Sequence, residues 1–231
     1  MSKIALYWID PDSPADNFPP IANALSQPDG LLCFGGDLNA DRLLNAYERG
    51  IFPWYSEGQP IMWWSPSPRC VIYPDELVIR RSLRKTMRNA GYDFSMDRAF
   101  SQVISACAAP RDDEGGTWIT LKMQRAYEHL HELGHAHSVE IWNRGQLAGG
   151  LYGIAIGQVF FGESMFSHQR DASKIALACL TQRLKQQDFK LIDAQVTSAH
   201  LLSLGAREVD RATFSSQLAQ YCHMENTVDL W

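Results

Sequence analysis

From Ser138 the apolar residues of the chain follow a two-residue period as far as Phe166. A period of two is the spacing of a β-strand with one buried face. Two turn sequences, NRGQ and IGQ, divide the stretch into three runs, and the last two runs meet at Gly157–Gln158. Strands joined by short turns pair in an antiparallel manner, so the sequence predicts a three-stranded meander.

A helix and a further strand are predicted after the meander. Residues from Lys174 to about Lys185 carry apolar side chains at helical spacing, and the next apolar run is KLIDAQV, residues 190–196. A helix that leads from one strand to another is the usual crossover between parallel strands, so we expect this strand beside the meander. The predicted fold class is α+β, with a mixed, mostly antiparallel sheet flanked by helices.

Helical periodicity also occurs in the first 133 residues. Capping residues and terminal glycines predict four helices: one capped by Asn39 or Asp41 and ended by Gly50, one from about Arg81 to Gly91, one capped by Asp97, and one from Leu121 to Leu133. Prolines between residues 66 and 74 mark a boundary between a small N-terminal domain, residues 1–68, and a larger domain, residues 69–231. The chain is polar after residue 205, and its pattern there is uninformative.

Composition changes this picture little. With 45% hydrophobic and 20% charged residues, the 231-residue chain is typical of globular proteins. The first 18 residues lack the apolar core of a signal peptide and no run is long enough to span a bilayer, so we expect a soluble cytoplasmic protein without a membrane partner. The five cysteines are scattered without a CxxC pair, and the four histidines between 129 and 137 lack a zinc-site pattern. No metal site is predicted.

A cluster of basic residues stands out against the net charge of −5. It consists of five cations on or beside the second predicted helix, none of which has an acidic residue four positions later: Arg80, Arg81, Arg84, Lys85 and Arg88. A charged helix face is often simply solvated. An unneutralised basic stripe in an acidic protein also matches a surface that binds nucleic-acid phosphates, and this second interpretation is the one we prefer.

Glu163 is the most unusual residue of the meander, because it is a carboxylate between Phe160–Phe161 and Met165–Phe166. A charge among apolar residues needs a partner or a cavity. Five glycines, at positions 149, 150, 153, 157 and 162, accompany it. They indicate either bulges in a twisted sheet or a ligand that approaches the backbone closely.

Asp193 and Gln195 are two polar residues on the otherwise apolar strand that follows the crossover helix. Residues two apart on a strand share a face, so both side chains should point the same way. Burying them is costly unless they bond each other or a ligand, which leaves a structural pair and a functional site as alternatives. The aromatic stretch at residues 51–69, with Trp54, is likewise either a small core or a wall on which a ring stacks.

Eight strings of this sequence, in the same order, closely resemble the bacterial leucyl/phenylalanyl-tRNA protein transferase family: LLCFGGDL, AYERGIFPWYS, MWWSPSPR, GTWIT, LHELGHAHSVE, GGLYGIAIGQVFFGESMFS, ASKIAL and LIDAQV. The resemblance covers about residues 30–210. It implies that a GNAT-like acetyltransferase fold makes up the larger domain. It also implies an enzyme that transfers Leu or Phe, and also Met, from aminoacyl-tRNA to the N-terminal Arg or Lys of acceptor proteins, which creates an N-degron.

The resemblance also implies roles for single residues. A pocket for the apolar aminoacyl side chain and the terminal adenosine would be lined by Trp54, Trp118, Leu151, Met165, Leu180 and Ile192. Glu163 would pair with the basic N-terminal residue of the acceptor, the basic stripe would bind the tRNA acceptor stem, and Asp193 and Gln195 would be catalytic. We expect Gln195 to position the amine and Asp193 to orient Gln195, because a carboxamide is an extremely weak base.

We expect the protein to need no cofactor and to be a monomer. Acetyltransferases hold coenzyme A with a glycine-containing phosphate loop at a helix N-terminus, whereas the equivalent stretch here, SHQRDASK, contains no glycine. Two alternatives stay open at the level of the sequence. One is a small-molecule acyltransferase of the GNAT type. The other is a tRNA-binding module without catalytic activity.

Overall fold

The meander forms as the alternation predicts, with its turn at residues 157–158. The computed structural model describes residues 7–109 and 117–224. The outer ends of both predicted domains, residues 1–6 and 225–231, therefore lie outside the described residues. The strands are β1 (Tyr7–Ile9), β2 (Leu31–Gly35), β3 (Phe52–Pro53), β4 (Met62–Trp64), β5 (Arg69–Ile72), β6 (Asp93–Met96), β7 (Ala136–Asn143), β8 (Gln146–Ile156), β9 (Val159–Ser167), β10 (Leu191–Gln195) and β11 (Arg207–Val209). The helices are α1 (Ala40–Glu48), α2 (Arg81–Asn89), α3 (Phe100–Ala108), α4 (Leu121–Glu132), α5 (Ala172–Gln186), α6 (Ala199–Leu202) and α7 (Arg211–Tyr221).

The larger sheet has seven strands in the order β11-β5-β10-β9-β8-β7-β6. Helix α5 crosses over from β9 to β10, and these two strands are parallel, whereas the other neighbouring pairs are antiparallel. The predicted α+β fold class, with a mixed, mostly antiparallel sheet, is therefore confirmed. None of the described helices combines the length and apolar content needed to cross a bilayer.

The smaller sheet has four strands in the order β1-β2-β4-β3 and lies entirely in residues 7–64. Its aromatic residues divide between the two roles that the sequence left open. Trp63 is fully buried and donates from Nε1 to the Gly35 carbonyl at 2.9 Å, so it belongs to the core. Trp54 is 43% exposed and packs beside Trp64, so it is available at the surface.

One expectation about local structure is wrong. Asp97 does not cap α3, because its carboxylate accepts instead from the backbone N–H of Ser138 and from His137 Nδ1, both at 2.7 Å. The polar C-terminal stretch, whose pattern is uninformative, forms β11 and α7. Helix α7 is stabilised by tertiary packing of Phe214 and Leu218, which are buried although the helix as a whole is polar.

Candidate active site

The parallel pairing of β9 and β10 ends at Phe161 and Asp193, and beyond that level the two strands separate. Each strand carries an irregularity at this point. In β9 the pairing with β8 omits Glu163, and in β10 the register against β5 shifts between Asp193 and Gln195. Bulges redirect side chains and interrupt the ladder, so the two bulges open a cleft in the middle of the sheet.

The glycines of β8 and β9 have different roles around this cleft. At Gly149 a Cβ atom would lie 2.6 Å from the Ala172 side chain, so this glycine lets α5 pack against the sheet. At Gly162 the nearest atom to a Cβ would be the Asp193 carbonyl at 3.4 Å, and this glycine lines the cleft. Close packing within the protein thus explains the first glycine, and the open cleft lies at the second.

A cavity of about 260 Å³ occupies the cleft. Apart from Glu163 and Ser164 its walls are mainly apolar. Six of the residues implied by the family resemblance line it together: Trp118, Leu151, Glu163, Met165, Leu180 and Ile192. Its size is slightly below the roughly 300–1,000 Å³ of sites for drug-sized ligands, so it suits one apolar side chain.

A second cavity, of about 160 Å³, adjoins the first at Trp118. Trp54 and Gln195 line it, together with Phe52, Pro53 and Val196. Trp54 therefore lines the second cavity and shares only Trp118 with the predicted pocket residues of the first cavity. Gln195 lies between the second cavity and Glu163.

Asp193 is fully buried and bonds Arg69 through both oxygens, at 2.8 Å from Nε and 2.7 Å from Nη2. Its Oδ1 also accepts from the backbone N–H of Gln195 at 2.9 Å. Asp193 and Gln195 thus share a face but do not bond through their side chains. The orientation that we expected from Asp193 acts on the backbone of Gln195, which has a φ of +60°. Such a left-handed backbone is costly for a residue other than glycine and is often found at functional sites.

Arg69 was not predicted as a site residue. Its guanidinium lies 4.8 Å from the ring centroids of both Phe52 and Phe214, so it connects β3, α7 and β10. The sequence did contain a signal for Arg69, because it is an arginine in the apolar run RCVI and a buried charge needs a partner. The same rule applies to Asp193. The sequence alone does not say that these two charges meet.

Glu163 is 8% exposed and accepts three hydrogen bonds. Its Oε1 accepts from the Tyr47 hydroxyl at 2.7 Å and from Gln195 Nε2 at 2.6 Å, and its Oε2 accepts from the Tyr127 hydroxyl at 2.8 Å. The two tyrosine hydroxyls also contact each other. Sequence analysis missed both tyrosines because each occupies an apolar helix position, where a ring is expected to serve packing only.

Burial raises the pKa of Glu163 from 4.5 to about 7, although the bonds from Tyr47, Tyr127 and Gln195 favour the ionised form and offset part of the effect. The folded protein therefore holds a proton on Glu163 over a pH range in which the unfolded chain has released it. This carboxyl contributes its full stabilisation below pH 4.5 and loses it as the pH rises through about 7.

We expect Glu163→Gln to remove this pH dependence. The wild-type free energy of unfolding should fall by roughly 3 kcal/mol more than that of the variant between pH 4.5 and pH 7, because one pKa unit corresponds to about 1.4 kcal/mol. Urea unfolding at a series of pH values measures the difference. Glu132→Gln, which removes an exposed carboxyl from α4, is the matched control and should leave the slope unchanged. Parallel curves for wild type and Glu163→Gln would contradict the assignment.

All five residues of the basic stripe are exposed, and none forms an ion pair with another described residue. Arg80 occupies the N-cap position of α2, and the other four lie within the helix. The opposite side of α2 is anchored by the buried Leu83. The stripe is therefore a free cationic surface on a packed helix.

Two of the clustered histidines, His131 and His137, have partners within the protein. His131 Nδ1 lies 2.8 Å from the Ala136 carbonyl and its ring stacks on Phe100, while His137 bonds Asp97. In the part of the chain that the structure describes, no group of three His, Cys, Asp or Glu residues is arranged to hold a metal ion.

Comparisons with known proteins identify relatives over nearly the whole chain. Sequence models described as the leucyl/phenylalanyl-tRNA protein transferase and its N-terminal domain match residues 71–219 and 36–67. A protein of Stutzerimonas stutzeri is 53% identical over 97% of this chain and 98% of its own length. One of Pseudomonas fluorescens is 57% identical over 89% and 91%. Both are named leucyl/phenylalanyl-tRNA–protein transferase.

Solved structures that align with the chain include a GCN5-related N-acetyltransferase from Kribbella flavida. The TM-score is 0.38 and the identity 13%, over 70% of this chain and 58% of the other. The sequence comparisons are much closer, since the family models match well over half of the chain. The protein belongs to the leucyl/phenylalanyl-tRNA–protein transferase family.

Proposed function

We propose that this enzyme transfers Leu or Phe, and also Met, from aminoacyl-tRNA to the N-terminal Arg or Lys of acceptor proteins. Membership of a family of aminoacyl-tRNA–protein transferases makes the chain an aminoacyltransferase. The observation that supports the finer proposal is the cleft itself. An apolar cavity and a carboxyl group, that of Glu163, meet beside Gln195 where β9 and β10 separate.

The donor amino acid would occupy the first cavity. Leu151, Met165 and Leu180 offer apolar contacts, which discriminate by only about 1–3 kcal/mol per methylene, so side chains as different as Leu, Met and Phe are acceptable. A charged side chain would lose its hydration against these apolar walls, and Glu163 would already be paired with the acceptor. The adjoining cavity, between Trp54 and Trp118, offers aromatic surface for the terminal adenosine.

The acceptor would approach from the side of Gln195. Because Gln195 Nε2 donates to Glu163, the amide oxygen of Gln195 is the group available to accept from the attacking α-amine. The amine attacks the ester carbonyl, the bond to the tRNA ribose breaks, and a peptide bond forms. An α-amino group has a pKa of about 7.7–8.0, so a useful fraction is neutral without an enzymic base, and alignment of the two substrates supplies much of the acceleration.

Transfer can be tested with radiolabelled leucyl-tRNA and two peptides that differ only in an N-terminal Arg or Glu. We expect label in the Arg peptide and none in the Glu peptide. Lysyl-tRNA serves as the donor control, because its cation would have to enter the apolar cavity. Equal transfer from lysyl-tRNA would refute the pocket, and no transfer from leucyl-tRNA would refute the function.

The alternative of a small-molecule acetyltransferase is disfavoured by Asp171. This carboxylate lies at the N-terminus of α5, where it bonds Lys174 Nζ at 3.0 Å and Thr86 at 3.2 Å. A pyrophosphate bound at the same helix end would face its negative charge. Protection of the protein against heat by acetyl-coenzyme A would restore this alternative.

The basic stripe is proposed to bind the phosphates of the tRNA acceptor stem. Arg84→Ala should weaken all aminoacyl-tRNAs alike and lower the slope of log affinity against log salt by about 0.7 to 0.9, the value for one lost phosphate contact. Lys190→Ala is the matched control, because it removes one exposed cation just before β10, at the end of the strand away from Gln195. Filter binding at four salt concentrations measures both slopes. An unchanged affinity at low salt would contradict the assignment.

We place the enzyme in the cytoplasm, where its tRNA substrate is charged, and propose that it acts as a monomer. A boundary after residue 68 would assign the smaller sheet to an N-terminal domain and β5 to the catalytic domain. Analytical ultracentrifugation tests the oligomeric state directly.

A further inference from the structure

Three oxygen-bearing groups close a ring at the bottom of the cleft: the Glu163 carboxyl and the hydroxyls of Tyr47 and Tyr127. The Tyr47 hydroxyl contacts Oε1, the Tyr127 hydroxyl contacts Oε2, and the two hydroxyls contact each other. We refer to these three groups as the Glu163 ring. All three residues are buried, and they come from β9, α1 and α4.

The number of protons that the Glu163 ring needs follows from its three contacts. Each oxygen–oxygen contact requires one proton to be a hydrogen bond. Burial raises the pKa of both tyrosines well above 10, so each hydroxyl keeps its proton and supplies one. With an ionised carboxylate the ring therefore has two protons for three contacts. At one contact the two oxygen atoms then face each other with lone pairs only and no proton between them. A protonated carboxyl supplies the third, and every contact becomes a hydrogen bond.

The charges around the ring give no compensation for an ionised carboxylate. Asp193 on β10 is negative and is already paired with Arg69 of β5. The neighbouring side chain on β8 is Tyr152, whose buried hydroxyl has no hydrogen-bond partner among the described residues. Gln195 donates one neutral N–H to Oε1. A buried carboxylate without a counter-ion is costly, so the free protein favours the neutral form.

We propose that the Glu163 ring stores one proton in the free enzyme and releases it when the cationic side chain of an acceptor enters the cleft. On release, the O–H bond of the carboxyl breaks, the proton passes to water or buffer, and the guanidinium or ammonium group of the acceptor neutralises the carboxylate that remains. The inference rests on the proposed function, because it assumes a basic acceptor. It adds that the carboxyl is neutral until that acceptor arrives.

Acceptor binding therefore depends on the charge of the acceptor's first side chain and on the pH. A basic side chain stabilises the ionised carboxylate that it creates, whereas a neutral side chain leaves the proton in place and gains no ion pair. The cost of expelling the proton grows as the pH falls. Acceptor affinity should therefore decrease about tenfold per pH unit on the acid side of the carboxyl's pKa. The raised pKa of Glu163, caused by burial, agrees with a proton held near neutral pH.

The closing experiment separates this proton from that of the acceptor's own amine. The probe is a peptide whose first residue is replaced by 5-guanidinopentanoyl, which keeps the guanidinium of Arg but has no α-amine. Calorimetric titration at pH 6 in two buffers of different ionisation enthalpy counts the protons released on binding. We expect close to one proton per peptide for wild type and Glu132→Gln, and none for Glu163→Gln.

Infrared spectroscopy of the free protein tests the stored proton without any substrate. Wild-type protein should show the carbonyl band of a protonated carboxyl that persists above pH 6 and disappears on further titration, and Glu163→Gln should lack it. Labelling wild type with [13C]glutamate should shift the band, which identifies a glutamate even if the variant fails to fold. A free protein without this band, or binding of the probe without proton release, would overturn the inference. If the probe fails to bind, the infrared result still decides whether the proton is stored, and transfer of label to the Arg peptide separately decides the proposed function.

Discussion

Replacing Arg69 with methionine is expected to lower the free energy of unfolding by about 3 to 5 kcal/mol, which would be the largest effect of any single substitution considered for this protein. Both members of the Arg69–Asp193 pair are at most 1% exposed and share two hydrogen bonds. Removing the cation leaves Asp193 buried, charged and unpaired. The midpoint of urea unfolding, with an unchanged slope, measures the loss.

The double variant Arg69→Met/Asp193→Asn is the control for this interpretation. It removes the uncompensated charge, and the Asn oxygen can still accept from the backbone N–H of Gln195. We therefore expect it to recover much of the stability lost in Arg69→Met, with a strongly non-additive thermodynamic cycle. Additive losses would mean that Arg69 acts by packing between Phe52 and Phe214 and that the ion pair is secondary.

Gln195→Ala is expected to reduce turnover by about 100-fold, the scale associated with misplacing a reacting group by about 1 Å, and to leave tRNA affinity unchanged. Gln195 lies outside the basic stripe and meets the first cavity through its bond to Glu163, which is assigned to the acceptor, so donor binding should depend little on it. Asp193→Ala should also reduce turnover, since the Asp193 carboxylate holds the backbone of Gln195. Because Asp193 acts by holding Gln195 in position, the double variant should lose little more turnover than Gln195→Ala alone.

The pH dependence of turnover distinguishes positioning from proton abstraction by the enzyme. At saturating acceptor, the rate should rise with the free amine and level off near its own pKa of about 8. An acceptor with a less basic amine should shift the profile downward by the same amount. A profile that stays fixed when the amine changes, yet moves in Asp193→Asn, would show that an enzymic group takes the proton.

Periodicity was sufficient for the elements whose packing is local. The meander, the crossover helix α5 and the strand that carries Asp193 were all predicted, because their apolar spacing reflects one buried face of a single element. The spacing failed for α7. That helix is polar overall, and it is stabilised by two buried side chains that meet residues more than 140 positions earlier, such as Arg69 and Gly50.

By itself, the sequence determined the fold class and the family, and its resemblance to that family implied the residues that would line an apolar pocket. Five of those residues lie around one cavity, since four of them occur on neighbouring strands and on the helix that covers them, and Trp118 lies just before α4. Only the tertiary structure decided how the polar groups are paired. Asp193 meets Arg69 across 124 positions, and Glu163 meets Tyr47 across 116. Hydrogen bonds between such distant residues depend on how the strands and helices pack, and no local pattern of apolar and polar residues encodes them.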